Sequence, residues 1–282
     1  MVFSGCRRSS FPTSPHHFVF LRKLVHPSLP SRVHVDVLTT FPELFATQPP
    51  ALLGVSMPRR AIDAGALTVS ATDIRTFTHD KHQKTDDRPF GGGPGMVMMC
   101  QPVWDAFDHV EKPRAGARRQ RVYFTPQGTP LSQELVAHLA TCEHLVMLAG
   151  HYEGIDERVI EELAPLEVSL GDFVVSGGEV AALVTIDAIA RLLPGVLGHE
   201  DSSVQDSFSV FAPPQGFSTA RDGLSSSKQS KRLLDCPHYT KPREWRGRAV
   251  PDVLLSGDHE AIAKWRHAER LRRTFVRRPD LL

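Results

Sequence analysis

Apolar and polar residues fall into a two-residue period at Val33. Val33, Val35 and Val37 are interleaved with His34, Asp36 and Leu38, as in a β-strand. Phe41-Pro42-Glu43 then reads as the start of a helix, because proline in a first turn lacks an N–H that would go unpaired anyway. Further strands are predicted at 121–125, 144–149 and 167–170. Helices are predicted at 131–140, 155–163 and 179–193, the last stopped by Pro194-Gly195. Strands alternating with helices predict an α/β fold with a largely parallel sheet covered on both faces. On such sheets ligands collect at the carboxyl ends of the strands.

The rhythm stops near Gly198. Residues 209–231 are rich in Ser, Gly, Pro and Gln and read as a linker or insertion. A smaller unit follows, in which Asp258 is placed to cap a helix. Ile262, Trp265, Ala268, Leu271 and Phe275 fall near one face of that helix, and Arg266, Arg270 and Arg273 point elsewhere, free for phosphate. The expected division is an extension at 1–32, a main domain at 33–204, a linker at 205–232 and a small helical domain at 233–282. Residues 1–32 are rich in Ser, Pro, His and Arg without a period. They fit a disordered tail, a transit peptide or an upstream start codon, and stand outside the fold argument.

Composition adds limits. With 41% hydrophobic and 23% charged residues in 282, the chain has an ordinary globular make-up. No apolar stretch reaches the roughly 18 residues of a membrane helix, so no membrane association and a cytoplasmic location are expected. Net charge is +1, yet no acid precedes Asp36, and 264–278 holds seven Lys and Arg against one Glu. Basic ends on a neutral body suit a polyanion met by part of the surface. Cys6, Cys100, Cys142 and Cys236 are scattered without a CxxC pair, which argues against zinc and disulfides and for a reducing compartment.

Four segments carry chemistry. RPFGGGPGM at 88–96 lets backbone approach a ligand closely, but no Lys-Ser/Thr follows, so it is not a Walker A loop. YFTPQG (123–128), GHYEGIDERV (150–159) and SLGDFVVSGGE (169–179) each begin where a predicted strand ends. Three irregular loops at neighbouring strand ends make a concave pocket whose backbone groups suit a purine edge and a ribose. Gly177-Gly178 delivers the chain into a helix whose N-terminus accepts a negative group. No GxGxxG opens the fold, and there is no GxSxG or HExxH. An ordinary dinucleotide site, a serine hydrolase and a zinc protease are therefore disfavoured, and a phosphotransferase lacks its lysine.

In order along the chain, RPFGGGPGM, GHYEGIDERV, SLGDFVVSGGE, IDAIARLLPGVLG (186–198), Asp206-Ser207-Phe208 and LLDCPHYTKP (233–242) resemble the bacterial tRNA (guanine-N1)-methyltransferase family, TrmD, of the SPOUT superfamily. DVLTTFPELF (36–45) and VPDVLLSGDH (250–259) extend the resemblance over about 33–282 apart from the linker. It implies a C-terminal trefoil knot in the α/β domain, a feature very rare among folds. It also implies S-adenosylmethionine bound bent in the knot, a homodimer with the active site across the interface, and tRNA contact by the small helical domain. The implied product is 1-methylguanosine just 3′ of the anticodon, where another guanine precedes.

Carried onto this sequence, the resemblance places Tyr123, Phe124, Thr125, Pro126, Gly150, Tyr152 and Glu153 around the cofactor. Leu170, Gly171, Asp172, Phe173, Val174, Val175, Gly177 and Gly178 complete that set. It makes Asp206 the general base and Arg191 its electrostatic partner, and it implies a magnesium requirement toward which Glu153 offers a lone carboxylate. The residue types suit the chemistry. Guanine N1 is a poor nucleophile until a carboxylate removes its proton, and a guanidinium stabilises the charge left on O6. His151 departs from the arginine common at that place, the linker is longer by roughly twenty residues, and the extension has no counterpart. Alternatives are a related knotted ribose methyltransferase and a catalytically inactive RNA-binding homologue.

Overall fold

A computed structural model describes residues 28–197, 206–211, 213–214 and 231–282. Nearly all of the expected extension and most of the linker lie outside the described residues. The strands are β1 (Val33–Thr39), β2 (Leu67–Asp73), β3 (Asp86–Asp87), β4 (Val97–Met98), β5 (Arg119–Pro130), β6 (His144–Leu148) and β7 (Leu166–Ser169). The helices of this part are α1 (Ser56–Asp63), α2 (Cys100–Glu111), α3 (Gln133–Ala140), α4 (Glu157–Leu163) and α5 (Glu179–Ala190).

Five strands form one sheet in the order β2-β1-β6-β5-β7, and every pairing in it is parallel. Strand β1 shows why both faces are covered. Val33, Val35 and Val37 pack with Ala61 of α1, Leu139 of α3 and Ile186 of α5. Leu38, on the opposite face, packs with Phe107 of α2 and Val159 of α4. The alternation at Val33 therefore marks two buried faces, as befits a central parallel strand. Asp36 lies on the second face and is buried against His144.

The predicted strands and the helices after residue 130 are present with shifted ends: 131–140 becomes Gln133–Ala140 and 179–193 becomes Glu179–Ala190. The helix expected from Pro42 is a single 3-10 turn, Pro42–Phe45. Strand β2 and helices α1 and α2 are not among the elements that the pattern predicts.

Beyond the linker, β8 (Val210–Phe211) pairs antiparallel with β9 (Lys231–Arg232), and β10 (Glu244–Trp245) pairs with β11 (Arg248–Ala249). Helix α6 (His259–Arg277) is capped by the Asp258 carboxylate, which accepts from the N–H groups of Glu260 and Ala261. Its buried face is not the expected one. His267, Arg270 and Thr274 are buried, whereas Phe275 is 60% exposed. Arg270 is drawn inward by Asp235, 3.2 Å away, and lies over the Phe211 ring. An ion pair and a cation–π contact thus outweigh the apolar stripe in orienting the helix. No helix among the described residues is long and apolar enough to cross a membrane.

Candidate functional site

The bulged middle of β5 and the carboxyl ends of β6 and β7 open onto one cavity of about 260 Å³. Strand β5 brings Tyr123 to Pro126 to it and bulges between Phe124 and Thr129. The loop after β6 brings Gly150, Tyr152 and Glu153, and the loop after β7 brings Leu170, Phe173 to Val175, Gly177 and Gly178. The three segments expected to converge do converge, but YFTPQG is not a loop at a strand end: β5 runs through it to Pro130, with a break in register. Gly171 and Asp172 are not among the lining residues: the Ser169 hydroxyl and the Gly171 amide and carbonyl bond to each other as a tight turn. Gln127, His151, Gly154, Val168, Ser169, Ser176 and Ala181 also line the cavity without having been singled out as cofactor contacts. Adjacency to the glycine motifs was the available signal for most of them.

Backbone geometry sets the shape of this cavity. Gly178 donates its N–H to the Gly150 carbonyl at 2.9 Å, and a Cβ on Gly178 would lie 2.7 Å from the Ala149 Cα. His151 and Gly177 form a β-bridge beside it. The 170–178 loop is thereby pressed against the end of β6 so closely that only glycine fits at 178. Tyr152 adopts a positive φ of 59° and is 58% exposed, as a residue held open at the rim. Tyr123 is buried at the floor, where burial and the nearby Glu167 push its phenol above the usual range.

The imidazole of His151 is held by an acid. Its Nε2 lies 2.8 Å from both carboxylate oxygens of Glu179, which is buried and also accepts from the Thr39 hydroxyl at 2.5 Å. Phe41 packs on the same ring at 5.0 Å. This residue joins the first strand, the cavity loop and the start of α5.

The glycine run at 91–95 has a different place. Gly91, Gly92, Gly93 and Gly95 all have positive φ, and Phe90 is 98% exposed. None of them lines the cavity, but the segment is tied to its edge: Glu153 N donates to Met96 O, and Met98 N donates to Gly154 O. The Glu153 side chain lies against Gly95 so tightly that a Cβ there would meet Oε1 at 2.4 Å.

Arg191, at the end of α5, and Asp206 meet through Nη2 and Oδ2 at 2.5 Å, with both side chains partly exposed. Neither lines the cavity of its own chain. Among the described residues the single cluster of three ligating side chains is Asp235, Cys236 and His238, in the C-terminal unit. There Asp235 already accepts from Arg270 and pairs with His238.

Residues 33–282 match the profile of the family described as tRNA (Guanine-1)-methyltransferase TrmD. The chain belongs to that family. It is 45% identical over 250 residues to a tRNA (guanine-N(1)-)-methyltransferase of Idiomarina loihiensis, covering 89% of each chain. To the enzyme of the same name from Anoxybacillus flavithermus it is 46% identical over 248 residues, 88% of this chain and 91% of the other. To that of Shewanella frigidimarina it is 47% identical over 247 residues, 88% and 89%. The TrmD match spans the sheet, the cavity loops, the Arg191–Asp206 pair and the C-terminal unit together.

Proposed function

We propose that this enzyme transfers a methyl group from S-adenosylmethionine to N1 of a guanine in tRNA, the one just 3′ of the anticodon and preceded by another guanine. The observation that carries this reading is the convergence of three family-matching loops on one cavity at the ends of parallel strands. A mouth narrowed by close-packed glycine backbone, with an aromatic floor, suits an adenosine, whose edges pair with backbone N–H and C=O groups. When bound, the cofactor supplies a methyl group on a sulfonium centre that is already a good leaving group.

The rest falls to the chain. Tyr123 to Pro126, Gly150, Tyr152, Glu153, Leu170 to Val175, Gly177 and Gly178 would hold the cofactor and exclude water, with Gly171 and Asp172 shaping the turn rather than touching it. Asp206 would remove the N1 proton of guanine, making that nitrogen nucleophilic, and Arg191 would steady the carboxylate and the charge developing on O6. Positioning of the two reactants supplies much of what remains. Magnesium has less support: Glu153 is the single carboxylate on the cavity wall and is packed on Gly95, which is not an assembled ligand set. No step is assigned to a metal.

The placement of Asp206 outside its own chain's cavity favours a homodimer in which each chain completes the other's site. Leu44, Val180 and Val184 stand 47%, 54% and 45% exposed and would be covered in such a pair. The tight passage of 170–178 against the end of β6 is consistent with the knot of the SPOUT fold, and the C-terminal unit would serve tRNA.

The test is methylation of a transcript carrying guanines at 36 and 37 by the wild type and by Asp206→Asn. The variant should keep cofactor affinity and lose turnover by about 10²–10⁴-fold. Unchanged turnover would remove Asp206 as the base. Nuclease digestion with mass spectrometry separates N1 from ribose methylation. Calorimetric titration with S-adenosylmethionine separates the enzyme from an inactive homologue in which His151 has closed the site.

A further inference from the structure

A second cavity, of about 340 Å³, lies wholly within the C-terminal unit between the 237–243 segment and the first half of α6. Its floor is apolar, from Val250, Leu254 and Ile262, and its rim carries Tyr239, Lys241, Arg243 and Arg266. The pairing of cations in this unit is uneven. Lys264 is bonded to Glu260, Arg270 to Asp235, Arg272 to Glu269 and Arg278 to Asp280. Lys241, Arg243 and Arg266 make no ion pair and no side-chain hydrogen bond among the described residues, and all three are exposed. Arg270, the buried cation of the unit, is therefore neutralised, while the three exposed cations that line the cavity have no acidic partner among the described residues. Tyr239 is 48% exposed, with its ring 6.3 Å from that of Trp265, so one aromatic face is available at the rim.

An apolar floor, a half-open aromatic ring and three unmatched positive charges are what an unpaired nucleotide needs: a surface for the base and donors for its phosphates. The volume is at the low end of small-molecule pockets, suited to one nucleoside rather than to a helix. We propose that this cavity takes a single unpaired nucleotide of the tRNA, with the base against Tyr239 and the flanking phosphates met by Lys241, Arg243 and Arg266. This rests on tRNA being the substrate.

The experiment measures anisotropy of a fluorescent tRNA transcript against the full-length protein at several salt concentrations, alongside calorimetric titration with S-adenosylmethionine. Tyr239→Ala should weaken tRNA binding about tenfold or more without changing the salt slope, and Tyr239→Phe should restore it. Combined replacement of Lys241, Arg243 and Arg266 by Ala should lower the salt slope by about two to three and raise KM without changing kcat at saturation. Cofactor affinity should be unchanged in all of them, which shows that the main domain is kept, and unchanged hydrogen exchange in α6 shows the same of the C-terminal unit. Wild-type binding by Tyr239→Ala would overturn the nucleotide pocket and leave a purely electrostatic surface. An unaltered slope in the triple variant would overturn the phosphate contacts as well. Failure of the unmodified protein to bind or methylate tRNA would instead overturn the function reading, and the pocket with it.

Discussion

The cavity at the strand ends is shaped by backbone, whereas the pocket on the C-terminal unit is shaped by side-chain tips. Around the first, Gly178 and Gly177 bring two loops into contact, and its ionisable His151 is already held by Glu179. Around the second, exposed cations surround an apolar floor and have no partners among the described residues. A site made of backbone recognises one ligand shape and fails abruptly when a Cβ intrudes. A site made of flexible charged side chains recognises a polyanion, tolerates single changes and weakens gradually with salt. If the first takes the cofactor and the second the RNA, as proposed, the two should respond to mutation in different ways.

The sharpest attempt to break that contrast is Gly178→Ala. The added Cβ would lie 2.7 Å from Ala149 Cα and 3.1 Å from Gly150 N, both backbone atoms that cannot swing aside. Separating the loops should lower stability by about 1–3 kcal/mol and S-adenosylmethionine affinity by about 100-fold, while tRNA binding falls little. Calorimetry and thermal unfolding check this. Wild-type cofactor affinity in the variant would mean that the loops adapt as readily as the C-terminal surface.

Next in size is the acid response of the sheet that carries those loops. Burial alone would raise the Asp36 carboxyl, but the His144 hydrogen bond, the His34 imidazole 3.4 Å away and the charge of Arg114 outweigh it and hold the group at about 2, against 3.8 unperturbed. The native state binds this proton less readily than the unfolded chain. Its stabilisation, about 2 kcal/mol, is therefore complete above pH 4 and lost as pH falls toward 2. Asp36→Asn should flatten the acid limb of stability against pH over that window. An unchanged acid limb would show that other carboxylates set it.

These same residues show what a sequence reveals. The cavity loops were legible because close backbone approach and positive φ demand glycine, and glycine clusters are visible one residue at a time. The central strands were legible from their apolar runs. Helix α1 was not, because its sequence SMPRRAID is short, polar and interrupted by Pro58, and buries only Pro58 and Ala61. The Asp36–His144 contact joins residues 108 apart, and no local pattern announces it. The helical pattern puts Arg270 on the solvent face, because its partner Asp235 lies 35 residues earlier. Polar burial depends on such distant partners, whereas apolar burial leaves a period. The roles of Arg191 and Asp206 were carried by resemblance alone, since each by itself reads as a helix-end arginine and a turn aspartate.

The smallest effect lies where the segment bearing Asp206 meets α6. The Thr274 hydroxyl donates to the Arg270 carbonyl and accepts from the Leu234 N–H at 2.9 Å, and the side chain is fully buried. Just before Leu234, the Leu233 carbonyl receives the Phe208 N–H, and Asp235 N donates to the Ser207 hydroxyl. The two residues after Asp206 are thus fastened to the 233–235 segment, which Thr274 fastens to the helix. Thr274→Val keeps the shape and removes the acceptor, leaving a half-buried N–H unpaired at a cost of about 1 kcal/mol. Hydrogen exchange should quicken at 232–236 and in α6 but not in the cavity loops, with cofactor affinity unchanged and turnover reduced a few-fold. Equal quickening in both regions would show that they open as one unit, and the contrast between backbone-built and side-chain-built sites would then not extend to their stability.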